Sequence, residues 1–159
     1  MESFSELPNR LYLDLDGVVY PVVPLPEGDT DIEQLHALEW WRTSVVEKLG
    51  SFGAEIVVSS SWGEAFMRGT AKSPREILKP TRALSERVIM ETSKIDAIVA
   101  DLAAYPAGRA VWIEDEMTQN DLRRFKAAAE QPLAITPEKT IGLTSEELRT
   151  IEEFLVGEA

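Results

Sequence analysis

Hydrophobic periodicity switches repeatedly along this chain, and that alternation narrows its fold more than any other feature. Short apolar runs suited to buried parallel strands occur at Leu11 to Leu13, Ile56 to Val58, Val88 to Met90, Ala110 to Ile113 and Leu133 to Ile135. Longer stretches with helical spacing lie between them. One covers about Asp31 to Leu49, with Leu35, Leu38, Val45 and Leu49 on one face and Gly50 as a natural C-terminal cap. Others are predicted over Lys94 to Ala104 and Gln119 to Glu130. Thr144 and Glu147 are spaced as a capping box, ahead of Leu148, Ile151, Phe154 and Leu155 on one face of a last helix. Strands alternating with helices long enough to serve as crossovers predict an α/β fold with a doubly wound parallel sheet in three layers, α/β/α. Ligands in such sheets bind beyond the carboxyl ends of the strands, so the polar residues ending each strand are the ones to weigh for chemistry.

The chain has 159 residues, 44% of them hydrophobic, enough for one packed core, so residues 1–159 are expected to form a single domain. No internal repeat or low-complexity tract interrupts it. The lack of cysteine excludes disulfides and thiolate metal sites and points to oxygen ligands for any metal. The N-terminal MESFSELPNR has no basic region leading into an apolar run, and no apolar stretch approaches the roughly 20 residues that span a bilayer. A cytoplasmic chain with no membrane partner is expected. The formal charge of -12 repels polyanions at long range and favours small substrates, although acidic residues on exposed helices also serve solubility alone.

The first apolar run ends in LYLDLDGVVY, which sets Asp14 and Asp16 two residues apart before Gly17. Strand periodicity would put both carboxylates on one face, close enough to share a divalent cation or to divide into nucleophile and proton donor. Gly17 would let the backbone turn sharply beside a ligand. An EF-hand loop fails as an alternative, because with Tyr12 at its first position Val23 falls where a glutamate is required. The second run ends in Ser59, Ser60, Ser61 and Trp62, hydroxyls that could hold a phosphate oxygen, although serine runs are more often turns or caps. Lys94 is expected at the start of a helix just after the third strand, where it could neutralise charge between a carboxylate and a phosphoryl group. A lone lysine is usually solvated. The fourth run ends in Glu114, Asp115 and Glu116, an oxygen-rich group suited to magnesium or, more plainly, an acidic helix start. Each signal is weak alone, and their joint order is much stronger.

In that order the sequence resembles the haloacid dehalogenase (HAD) superfamily, in particular its small members without a cap domain (C0-like), over almost the whole chain. LYLDLDGVV resembles the first motif, IVVSSSW the second, SKIDAI the third and VWIEDE the fourth. The resemblance implies a Rossmann-like core, Asp14 as nucleophile, Asp16 as general acid and base, and Lys94 as the catalytic and phosphate-binding cation. It implies a phosphate-binding hydroxyl at Ser59 or Ser60: the strand boundary favours the first, the spacing to Trp62 the second. It also implies Mg2+ as cofactor, held by Asp14, Asp16, Glu114 and Asp115, with Glu114 standing where most members carry an aspartate. The ending GLTSEELRTIEEFL is similar in pattern to small bacterial and phage members and implies no substrate.

The activity so implied is a phosphomonoesterase working through an aspartyl phosphate. The gaps between motifs leave no room for a full cap, and an open site suits a nucleotide, a nucleic-acid end or another accessible phosphate ester. That inference pulls against the acidic charge. Arg68, Lys72, Arg75, Lys79, Arg82 and Arg87, all between the second and third motifs, could guide an anion or be ordinary solvated surface. Trp40 and Trp41 could stack on a base, although one ring in the core is the commoner arrangement, and His36 is assigned no role. Two other functions share these motifs: phosphotransfer to an acceptor other than water, and a binding or regulatory module without turnover. No obligate protein partner is inferred.

Overall fold

A computed structural model describes residues 7–15, 18–19, 43–60, 80–138 and 141–156. Among these residues five parallel strands form one sheet: β1 (Arg10–Leu13), β2 (Glu55–Val58), β3 (Arg82–Ala83), β4 (Arg109–Ile113) and β5 (Gln131–Ile135), in the order β3-β2-β1-β4-β5. The helices between and after them are α1 (Thr43–Gly50), α2 (Glu86–Glu91), α3 (Lys94–Ala104), α4 (Gln119–Ala128) and α5 (Ser145–Val156). The predicted α/β architecture and the doubly wound order are both present, with the chain switching from one side of β1 to the other.

Burial on both faces explains why the central strands read as unbroken apolar runs. Leu11, Leu13, Ile56, Val58, Val111 and Ile113 pack with Val45, Val46 and Leu49 of α1 and Leu148, Ile151 and Leu155 of α5. The alternate residues Tyr12, Val57, Ala110 and Trp112 pack on the other face with Ile95, Ile98 and Leu102 of α3 and Phe125 of α4. Strand periodicity thus assigns each helix pair to its layer. Pro132 lies in the edge strand β5, where a missing N–H is tolerated.

Local chemistry sets the helix ends. Thr144 Oγ1 accepts from Glu147 N at 3.1 Å while Glu147 Oε1 accepts from Thr144 N at 3.0 Å, the reciprocal cap expected before α5. A second capping box, Thr118 with Asp121, starts α4. Helix α1 ends at Gly50 as expected, and the left-handed residue of the following turn is Gly53, at φ 78°.

The third strand differs from expectation. Val88 to Met90 lie in helix α2, and the strand beside β2 is the two-residue β3 at Arg82–Ala83. Ser85 caps α2 by accepting from Val88 N at 3.4 Å, and Val88 and Met90 are 40% and 70% exposed. A three-residue apolar run carries no period, so a capping serine decides for helix. Lys94 consequently follows α2 rather than a strand, while keeping its expected place as the first residue of α3.

Candidate active site

Pairing across the sheet aligns the strand ends. Leu13 lies opposite both Val58 and Ile113, and Ile113 opposite Ile135. The ladder runs one residue further: Ser59 N donates to Leu13 O at 2.8 Å, Asp14 N to Ile113 O at 3.2 Å and Glu114 N to Ile135 O at 3.0 Å. Residues 59, 14 and 114 therefore form a row, two positions beyond the paired row Val57, Tyr12 and Trp112. That earlier row packs under α3, and the period of two turns Ser59, Asp14 and Glu114 toward the same layer. Lys94 opens α3 on that side, its helix capped by Ser93 Oγ, which accepts from Asp96 N at 3.2 Å.

Lys94 Nζ lies 2.6 Å from Glu114 Oε1 and 3.4 Å from Asp14 Oδ1. Asp14 Oδ1 also accepts from Leu15 N at 2.9 Å, and Glu114 Oε2 from Glu116 N at 3.2 Å. One carboxylate oxygen from each of Asp14, Glu114 and Asp115 falls within a group no wider than 4.8 Å. Burial pushes the Asp14 carboxyl well above the usual range, Lys94 opposes the shift, and Glu114 and Asp115 add to it. Glu114 is raised by burial too, against the pull of Lys94. Burial works against the Lys94 charge, but Asp14 and Glu114 outweigh it and its pKa rises. Among the described residues, three carboxylates thus lie together with one ammonium beside two of them, and this oxygen-only, anion-rich set suits a hard divalent cation.

Of the residues singled out in the sequence, Asp14, Lys94, Glu114 and Asp115 come together. Ser59 is fully buried, and its Oγ finds no hydrogen-bond partner among the described residues. Ser60 is also buried but has an interaction within the fold. Glu116 supplies its backbone N–H to Glu114, while its side chain is exposed. Asp16, Gly17, Ser61, Trp62, Leu35, His36, Leu38, Trp40 and Trp41 lie outside the described residues, as do Arg68, Lys72, Arg75 and Lys79. Two of the basic residues considered as anion guides are already paired: Arg82 with Asp101 at 2.6 Å and Arg87 with Glu91 at 3.2 Å.

Sequence reading passed over a second polar group, on the same face but at the opposite end of β1. Arg10, almost wholly buried, donates to Glu55 at 3.0 Å, to Tyr12 Oη at 3.2 Å and to the carbonyl of Tyr105. Tyr12 Oη donates to Asp101 at 2.5 Å, and Arg82 grips both Asp101 oxygens. These groups tie α3 to β1, β2 and β3. An arginine opening an apolar strand was the available signal.

Comparison with curated proteins finds no match. A family model described as the HAD domain in Swiss Army Knife RNA repair proteins matches residues 10–148, which takes in every described strand and the start of α5. The sheet order and the acidic strand ends agree with that match, and the chain belongs to this family of the HAD superfamily, a phosphatase-type hydrolase family.

Proposed function

We propose that the protein is a magnesium-dependent phosphomonoesterase that acts through a phosphorylated Asp14 on a nucleotide, an RNA end or another accessible phosphate ester. The observation that carries this reading is the meeting of Asp14, Lys94, Glu114 and Asp115 at the carboxyl edge of the sheet. Asp14 Oδ1 is held by Leu15 N–H and Lys94, which leaves Oδ2 to attack phosphorus. As the oxygen–phosphorus bond to Asp14 forms, the ester bond breaks and the leaving oxygen takes a proton from Asp16. Asp16, now ionised, removes a proton from water, whose oxygen attacks the same phosphorus and releases Asp14 and inorganic phosphate. The role of Asp16 rests on the family resemblance. Lys94 stabilises the charge on the transferring group, and the Ser59 hydroxyl donates to one of its oxygens. Asp14, Asp16, Glu114 and Asp115 are the residues that would hold magnesium, which when bound supplies further positive charge against the equatorial oxygens.

We read residues 1–159 as one catalytic domain without a full cap. The family description, which names RNA repair proteins, supports RNA ends as the first substrates to try. No helix among the described residues is long and apolar enough to cross a membrane, and the cysteine-free composition supports a cytoplasmic setting.

The test is phosphate release with Mg2+ from nucleoside monophosphates, 5'- and 3'-phosphorylated oligonucleotides, sugar phosphates and an aryl phosphate, with Asp14→Asn as control. Release that requires Mg2+ and falls at least about 1000-fold in Asp14→Asn is expected, since the attacking atom is gone. No release from any ester would point to a binding module or to phosphotransfer whose acceptor was missing.

A further inference from the structure

Residues 10, 12 and 14 share the face of the first strand that looks toward α3, and all three are polar. Arg10 Nη1 lies 3.5 Å from Asp101 Oδ2 and donates to the carbonyl of Tyr105, the residue that ends α3. Tyr12 Oη donates to Asp101 Oδ2 at 2.5 Å, and Asp14 Oδ1 lies 3.4 Å from Lys94 Nζ. Lys94 and Asp101 are seven residues apart, just under two turns and so on one side of α3, about 10 Å along its axis. The helix therefore lies along β1 with a polar anchor near each end. The anchor far from the acidic strand ends is the more heavily built. Arg82 Nη2 donates to Asp101 Oδ1 and Oδ2 at 2.8 and 2.6 Å, and Arg10 Nε donates to Glu55 at 3.0 Å. Strands β1, β2 and β3 each give a side chain to this group.

Between the anchors α3 packs on the sheet through Ile95, Ile98 and Leu102. Such contact is non-directional, so it holds the helix down without choosing among small slides along the strand. Hydrogen bonds of fixed length do choose. Buried ion pairs add little net stability over well-packed apolar residues, and fixing register is their best-attested use. A slide by one residue is about 1.5 Å along the axis, enough to take Lys94 Nζ out of reach of Asp14. Misplacement of a catalytic group on the order of 1 Å can cost about 100-fold in rate. We propose that Asp101 is a positioning residue for Lys94: clamped by Arg10, Tyr12 and Arg82, it sets the place of α3 along β1 and so holds the Lys94 ammonium beside Asp14. Its effect on rate rests on the phosphatase reading, whereas its effect on the helix does not.

The experiment compares crystal structures of wild type and Asp101→Asn, and separately measures kcat and KM for an aryl phosphate with Mg2+ saturating. Asparagine keeps the shape of Asp101 but offers one acceptor oxygen where Arg10, Tyr12 and Arg82 share two. The kinetic set adds Lys94→Met, the double variant with Asp101→Asn, and Leu155→Ala, a core change in the opposite layer. In Asp101→Asn, α3 is expected to move along β1 by at least about 0.5 Å, with kcat lowered about 5- to 50-fold and KM within about 2-fold. Added to Lys94→Met, the change should cost no more than about 2-fold further, because Asp101 acts through Lys94. Leu155→Ala should lower the melting temperature yet keep kcat within about 2-fold, which separates placement from stability. Should Asp101→Asn fail to fold, Tyr12→Phe carries the same comparison, since it removes one bond of the clamp and leaves Asp101 paired with Arg82. An unmoved helix, an undiminished kcat, or a full additional loss in the double variant would each overturn the inference. Wild-type protein that turns over no ester would defeat the phosphatase reading, while the two crystal structures would still decide whether Asp101 sets the place of α3.

Discussion

The Ser59 hydroxyl is fully buried and, among the described residues, its Oγ has no hydrogen-bond partner. A buried polar atom in that state is costly unless a ligand completes it. Ser59→Ala should therefore leave thermal stability unchanged or raise it by up to about 1 kcal/mol, about 2–4 °C for a chain of this size. The same change should weaken inorganic phosphate binding about 10-fold or more, the worth of one hydrogen bond to an anion. Thermal melts and a phosphate titration in the presence of Mg2+ read the two effects, with Ser60→Ala as comparator. A weakened phosphate affinity in Ser60→Ala alone would reverse the assignment. The sequence left these two serines open for a definite reason: neighbouring residues at a strand end point to opposite faces, so which serine faces the site depends on how far the strand's pairing runs. Asp14, Lys94 and Glu114 were legible because strand ends and a helix start are marked by abrupt changes from apolar to polar residues. That Glu114 is the acid meeting Lys94 was not, since it depends on which oxygen reaches the ammonium.

At the scale of elements, the polar group at the far end of β1 fixes the helix that carries Lys94. Tyr12 lies fully buried, bridging Arg10 and Asp101. Burial pushes its hydroxyl pKa far up from the ordinary 10.0, the Asp101 hydrogen bond adds to the rise, and Arg10 opposes it. The folded state therefore holds this proton more tightly than the unfolded chain. Its contribution to stability is complete below about pH 10 and is lost as pH rises from there toward the folded value. Tyr12→Phe should cost about 1 kcal/mol at pH 8, where the bridge is lost, and should make stability fall less steeply above pH 10. Melts of both proteins from pH 8 to 11 test this, and equal alkaline slopes would remove Tyr12 as a cause. The helices α3 and α5 were readable because each sustains an apolar face over its turns, α5 also through its capping box, and α4 was read from spacing although only Phe125 of it is buried. The third strand was not, because β3 has two half-buried residues at the start of no apolar run, while Val88 to Met90 looked strand-like through composition alone. Local propensity lost there to a capping serine and to a sheet edge that needs only two residues of pairing.

For the whole molecule, the question is how an acidic chain would meet a phosphorylated end. Acidic residues outnumber basic ones 28 to 16, and of the basic residues near the second and third motifs Arg82 is held by the buried Asp101 carboxylate and Arg87 makes an exposed pair with Glu91. A surface of that sign gains nothing from the backbone phosphates of a long strand, the source of most affinity in nucleic-acid binders. In the site proposed above only the terminal phosphate need enter, and each added internal phosphate brings repulsion within the screening distance, about 10 Å at 0.1 M salt. Specificity constants for 5'-phosphorylated oligonucleotides should therefore hold level or fall about 2- to 10-fold as length grows from two to ten nucleotides at low salt. The difference should close between 50 and 200 mM salt, the reverse of the salt response of a cationic binding groove. Measuring kcat/KM across that length and salt series decides the matter. A specificity constant that climbs with length and falls with salt would instead mean that basic side chains meet the strand, and that net charge misjudges the local field.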